Sequence, residues 1–130
     1  MVKVIDDMIG KVYTSVTRPW DDGITFENES ERVEFYHIQD CCEDVWIEDI
    51  TGNLSDLEGA PIIMAEEAVS IGESKHHDSV TWTFYKFATA KGYVTVRWYG
   101  TSNGWYSESV DILMTRKDEP GKPRTLEVGE

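Results

Sequence analysis

The sequence predicts a strand-dominated α+β fold, either an antiparallel curved sheet or a small open barrel, with one or two short helical turns. Three observations carry this. Apolar residues recur with a period of two between Val80 and Met114, the pattern of strands that bury one face. The pairs Lys91-Gly92 and Asn103-Gly104 separate those runs and read as hairpin turns, where glycine supplies positive φ cheaply. The clearest helix-start signature, Ser55-Asp56-Leu57-Glu58, is closed after one turn by Gly59 and Pro61.

In chain order, Met1 to Ile9 fits a short strand or a helical turn. Lys11 to Thr17 reads as a strand with Val12, Thr14 and Val16 on one side, ended by Arg18-Pro19 and the turn Trp20 to Gly23. Ile24 to Asn28 and Arg32 to Gln39 form a hairpin across Glu29-Ser30-Glu31, with Val33, Phe35 and His37 on one face. Val45, Ile47 and Asp49 alternate with Trp46, Glu48 and Ile50, which fits a strand with apolar residues on both sides or one helical turn. Leu54 to Glu58 is the single helical turn, with Leu54 and Leu57 inward. Ile62 to Ile71 is expected to be a strand with a bulge, although Met64 to Ala68 has helical propensity. Gly72 to Ser79 is a polar loop holding His76 and His77. A three-strand meander follows, with Val80, Trp82 and Phe84 on the first strand, Val94, Val96 and Trp98 on the second, and Val110, Ile112 and Met114 on the third. Residues 1–115 are expected to form one domain, and 116–130 a polar, mobile tail.

The formal charge is −13 over 130 residues, and it is uneven. Residues 21–78 hold seventeen Asp or Glu against Arg32 and Lys75, while the remainder is slightly basic. Such a stretch disfavours direct nucleic-acid contact, since phosphates need cations. It suits either plain solubility or a partner with a basic surface. Five Trp and six Tyr are many for this length, so some rings should lie on the surface. No run is apolar enough for a membrane span. Met1 to Gly10 carries Asp6 and Asp7 and has no apolar leader core. The two cysteines are adjacent, so they are no disulfide framework. A reducing, cytoplasmic location is expected.

The densest set of reactive side chains runs from His37 to Glu43, with Asp44, Glu48 and Asp49 behind it. His37, Asp40, Cys41 and Cys42 are the candidate metal ligands, but their spacing is not that of paired zinc ligands, and neighbours in a strand diverge. The ordinary alternative puts one cysteine in the core and the other at the surface. Nucleophilic use of either thiol is disfavoured by Asp40, Glu43 and Asp44, which oppose a thiolate. Asp40, Glu43, Asp44, Glu48 and Asp49 are the candidate partner-binding acids. A second set, Arg97, Trp98, Tyr99, Asn103, Trp105 and Tyr106, surrounds the Asn103-Gly104 turn. It offers rings and donors for a nucleotide-like ligand or a protein hot spot, or it simply covers the end of the sheet. His76-His77 reads as exposed loop. Neither a phosphate loop nor a Gly-x-Ser-x-Gly elbow is present.

The segments HIQDCCEDVWIEDITGNLSDLEGAPIIMAEE, TWTFYKFATAKGYVTVRWYG and SNGWYSESVD resemble a family of small phage and prophage proteins with no assigned activity. The resemblance runs from about Ile9 to Ile112. Its pattern falls on His37, Gln39 to Glu43, Ile47 to Asp49, Arg97 to Gly100 and Ser102 to Gly104; Trp105 stands where an aromatic, often tyrosine, is usual. The resemblance implies phage origin and an infected bacterial host rather than a mechanism. The leading expectation is a non-enzymatic accessory protein that binds and modulates or inhibits a host protein with a basic surface, such as a defence or nucleic-acid-processing factor. The alternatives are a protein that sequesters a nucleotide-like ligand and a metal-dependent enzyme built on residues 37–49. No cofactor is expected apart from that metal, and homo-oligomerisation is left open.

Overall fold

The computed structural model describes residues 4–73, 78–104 and 106–117. The elements in order are α1 (Val4–Asp7), β1 (Ser15–Thr17), β2 (Ile24–Glu27), β3 (Glu31–Tyr36), β4 (Asp44–Thr51), a 3-10 helix (Leu54–Leu57), β5 (Met64–Glu73), β6 (Ser79–Thr89), β7 (Gly92–Ser102) and β8 (Asp111–Arg116). The strands form two four-stranded antiparallel sheets, ordered β1-β2-β3-β8 and β4-β7-β6-β5. The sheets face one another without closing into a barrel. Rings bridge them: Phe26 lies 4.8 Å from Phe87, and Phe35 lies 4.9 Å from Tyr85. Between Ile24, Phe35, Tyr85, Phe87, Val96 and Trp98 the packing leaves no room for a water molecule. No helix among the described residues is long and apolar enough to cross a membrane.

The β2–β3 hairpin forms, but β3 begins at Glu31 and ends at Tyr36, so His37 to Gln39, expected to continue the strand, leave the sheet. Asn28 shapes its turn, its Oδ1 accepting from the backbone N–H of Ser30 at 2.8 Å and of Glu31 at 2.9 Å. Glu31 itself is buried, and its carboxylate accepts from Lys11 Nζ at 2.9 Å and from the Tyr13 hydroxyl at 2.6 Å. Burial, and then this hydrogen bond to a carboxylate, raises the Tyr13 pKa.

Several local expectations are corrected. The strand expected over 11–17 shrinks to β1, with Tyr13 rather than Val12 buried, whereas of the two readings open for Met1 to Ile9 the helical turn is the one found, over residues 4–7. The 3-10 helix has no side-chain cap. Asn53 occupies its N-cap, and Glu58 accepts instead from the Val16 N–H at 2.8 Å, tying the helix to the first sheet. β5 pairs with β6 in unbroken register and has no bulge. A bulge does occur in β4, between Ile47 and Asp49, which turns Asp49 to the Arg97 side and Ile50 toward Val96. Gly92 does not adopt positive φ; it sits where a Cβ would meet Asp56 Oδ2 at 2.9 Å.

Two larger corrections concern the meander. The inward face of β6 carries Thr83, Tyr85 and Phe87, because these pair across from Trp98, Val96 and Val94 of β7. Trp82 and Phe84 therefore lie on the outer face. The third strand is not part of this sheet at all. β8 crosses over and pairs with β3, Phe35 opposite Ile112 and Val33 opposite Met114. Lys117 continues that pairing, its N–H donating to the Ser30 carbonyl at 2.8 Å, and its Nζ donates to Glu27 Oε2 on β2 at 2.6 Å. The carboxyl pKa of Glu27 is lowered, chiefly by this bond. The expected loop histidines His76 and His77, and the tail beyond Lys117, lie outside the described residues.

Candidate functional site

The His37–Glu43 run is organised around one carboxylate. After β3 the chain leaves the sheet and bends back, and the Glu43 side chain turns inward, its residue 1% exposed. Its Oε2 accepts from the Asp40 N–H at 2.7 Å, and its Oε1 from the Cys41 N–H at 3.0 Å. His37 Nε2 lies 2.8 Å from Oε2, and His37 Nδ1 lies 2.8 Å from the Ser109 carbonyl oxygen. Both partners are acceptors, so the two bonds coexist when both ring nitrogens carry hydrogen. The backbone donors of Cys41 and Asp40 hold the Glu43 pKa down to about 2, with His37 assisting. Gln39 Nε2 completes the loop by donating to the carbonyls of Cys41, at 3.0 Å, and Glu43.

This geometry changes the reading of the cluster. Glu43 is a buried fastening rather than a surface acid, and both nitrogens of His37 are engaged. Cys41 and Cys42 are both exposed and are joined as a disulfide, so neither fills the core. They sit on a bend, where adjacent side chains need not diverge as in a strand. Among the described residues no three or more His, Cys, Asp or Glu side chains are placed to hold a metal ion.

The Arg-Trp-Tyr-Gly and Ser-Asn-Gly motifs build a second carboxylate seat. Glu108 is 8% exposed and accepts from the hydroxyls of Thr81 at 2.8 Å, Ser102 at 2.5 Å and Ser79 at 3.2 Å. Gly100 makes the seat accessible, since a Cβ there would lie 2.7 Å from the Glu108 carbonyl oxygen and 2.9 Å from its Cβ. Gly104 has φ +96, so the turn it forms is real, but it leads into the Glu108 seat and then across to the other sheet. The sequence places Glu108 in the polar set around the Asn103-Gly104 tip and Glu31 in the hairpin turn; that both are buried carboxylates follows from partners far along the chain, Ser79 and Thr81 for Glu108 and Lys11 and Tyr13 for Glu31.

Of the predicted acids and rings, Asp44, Glu48, Asp49, Arg97 and Tyr99 lie together on the outer face of the β4-β7-β6-β5 sheet. Trp46 pairs opposite Tyr99, and Tyr99 opposite Trp82. Their rings form a row with centroid separations of 4.8 and 5.7 Å. Trp46 is 36% exposed. Alongside it on β4 are Asp44, Glu48 and Asp49, all exposed. Arg97 Nε lies 2.8 Å from Glu48 Oε1, an ion contact rather than an aligned hydrogen bond. No ion pair to Asp44 or Asp49 occurs among the described residues. Trp46 and Trp82 belonged to neither candidate set. The signal available was the period-two placement of Trp46 beside the acids.

The remaining candidates separate. Trp98 is 1% exposed in the core, its Nε1 without a hydrogen-bond partner, and offers nothing to a ligand. Asp40 and Asn103 are exposed, and Tyr106 is half-buried. Trp105 lies outside the described residues. The acids of 21–78 are divided between the sheets: Glu27, Glu29 and Glu34 belong to the β2–β3 hairpin, and Asp44, Glu48 and Asp49 to β4. An acidic cleft of about 330 Å³, lined by Ile5, Asp6, Ala65, Glu66 and Glu67, separates α1 from β5. The Tyr85 hydroxyl donates to Glu67 at 2.6 Å, and burial and then this bond raise the Tyr85 pKa.

Comparison with known proteins adds one match. The model of a family described as a domain of unknown function, DUF7448, matches residues 6–112. The chain belongs to this family. The match takes in all of α1 but its first two residues, every strand from β1 to β7 and the start of β8, so both carboxylate seats and the aromatic row lie within the family domain. No curated protein and no solved structure matches the chain.

Proposed function

We propose that the chain is a non-enzymatic accessory protein, of the phage type that its motifs resemble, which binds a host protein of basic surface and modulates or inhibits it. The observation that carries this reading is the open row Trp46–Tyr99–Trp82 with Asp44, Glu48 and Asp49 beside it on β4. Aromatic side chains on an open face supply contact area at low entropic cost and dominate hot spots. Acids at their rim steer and orient a positively charged partner. The motif residues around Glu43 and Glu108 then hold the scaffold rather than perform chemistry.

The test is capture from host lysate by the immobilised chain. A basic protein should be retained, and retention should fade as ionic strength rises from about 0.01 M to about 1 M, where the screening length contracts from about 30 Å to about 3 Å. The double change Asp44→Asn and Asp49→Asn should reproduce that weakening at low salt. Capture indifferent to both salt and these changes contradicts the reading.

A second reading, a nucleotide-like ligand, is favoured by Arg97 lying one row from the Tyr99 ring on the same face, a cation near a stacking surface. Tryptophan fluorescence titrated with nucleotides tests it. Saturable quenching lost in Tyr99→Ala supports a ligand site there, and no quenching ends it.

A further inference from the structure

Cys41 and Cys42 are the only cysteines of the chain, they are adjacent, and both are exposed. Three hydrogen bonds fix the backbone on either side of Cys41. Its N–H donates to Glu43 Oε1 at 3.0 Å, its carbonyl accepts from Gln39 Nε2 at 3.0 Å, and the preceding Asp40 N–H donates to Glu43 Oε2 at 2.7 Å. Glu43 is itself buried and tied to His37. The backbone at Cys41 is thus held by side chains of its own loop, on a bend where both cysteines are exposed and joined to one another. Most of the ordering needed to bring two neighbouring thiols together is already met by this clamp.

We propose that Cys41 and Cys42 form a surface thiol–disulfide site that exchanges two electrons with a small thiol–disulfide couple of the glutathione type. In the oxidising direction, one cysteine thiolate attacks a sulfur of the small disulfide. A mixed disulfide forms and one small thiolate leaves. The neighbouring cysteine, having lost its proton, attacks the protein-side sulfur; the Cys41–Cys42 bond forms and the second small thiolate leaves. The two thiolates take up the two protons. Two protein thiols are oxidised to one disulfide, and one small disulfide is reduced to two thiols. The clamp makes the second step outrun release or further exchange, so the mixed disulfide does not accumulate.

The full chain is equilibrated in buffers of graded reduced and oxidised glutathione, blocked with a maleimide and weighed intact by mass spectrometry. Because the chain has two cysteines, each state has its own mass. The expected result is two species, the doubly blocked dithiol and the unblocked intramolecular disulfide, exchanging as the buffer becomes oxidising. Cys42→Ser should instead accumulate a glutathione adduct. In Gln39→Ala, which removes the bonds to the Cys41 and Glu43 carbonyls, the mixed disulfide relative to the closed form should rise at least about fivefold, the scale of a single lost hydrogen bond. Wild-type chain that accumulates a glutathione adduct or covalent dimer overturns the proposal, as does chain that stays doubly blocked in oxidised glutathione alone. An unchanged partition in Gln39→Ala overturns the role given to the clamp.

Discussion

Glu43→Ala is expected to lower the midpoint of thermal unfolding by about 10 °C, the scale for removing the acceptor that several hydrogen bonds share. The change leaves the N–H groups of Asp40 and Cys41 and the Nε2 of His37 without the part-buried acceptor they share. Glu43→Gln keeps the shape but turns an amide NH₂ toward groups that are themselves donors, so it should fall between wild type and alanine. The pH profile separates this role from mere packing. The Glu43 carboxyl is held at about 2 in the folded chain, against an ordinary value of 4.5. The unfolded chain therefore binds this proton more readily than the folded one. Its stabilising contribution is complete above about pH 4.5 and is lost as pH falls toward about 2. The difference in midpoint between wild type and Glu43→Gln should shrink over that window. A difference that stays constant from neutral pH down to pH 2 would contradict the carboxylate's assigned role. Thermal scans by circular dichroism at stepped pH measure it.

Gly100→Ala is the second large effect. A methyl at this position would stand 2.7 Å from the Glu108 carbonyl oxygen, a backbone atom with no flexible end to give way. Overpacking of this kind costs about 1–3 kcal/mol. The displacement should also stretch the bonds that Glu108 accepts from Ser102 and Thr81. Gly104→Ala is the control. It has φ +96 but nothing within 4 Å of the added methyl, so only backbone strain applies, about 1 kcal/mol. Urea unfolding should show a lower midpoint at unchanged slope for both variants, with Gly100→Ala the more affected. Equal losses would mean that the Glu108 seat is not tightly packed.

Local features of this chain were legible where the physics is local. The β2–β3 hairpin, the β6–β7 hairpin and the single turn at Leu54–Leu57 follow from alternation, turn residues and the stop at Gly59. The phase of β6 did not follow. Val80, Trp82 and Phe84 on one side and Tyr85 and Phe87 on the other are both apolar sets, and only pairing with Val94, Val96 and Trp98 decides which side is inward. The crossing of β8 to β3 was hidden for a related reason. Phe35 meets Ile112 across most of the chain, and no window of neighbouring residues records such a pairing. The 37–43 cluster misled differently. It was read through its reactive side chains, whereas the groups that meet Glu43 are mainly backbone N–H groups, which a scan of side-chain types does not count. The acids were visible as a stretch but not as a surface, because a stretch that builds strands of two sheets necessarily divides its charges between them. Alternation did place Trp46 and Glu48 on one side of β4, opposite Val45 and Ile47; the pairing with the strand carrying Arg97 and Tyr99, and the bulge that brings Asp49 to that side, come from the fold.

The most direct test of the account is Trp46→Ala, assayed both for thermal midpoint and for affinity toward the basic protein retained from host lysate. Trp46 is on an open face and away from both carboxylate seats, so the midpoint should stay close to wild type. Affinity should fall at least about tenfold, as expected when an aromatic hot spot is removed. An unchanged midpoint together with unchanged affinity would contradict the claim that the outer face of the β4-β7-β6-β5 sheet is where this protein meets its partner.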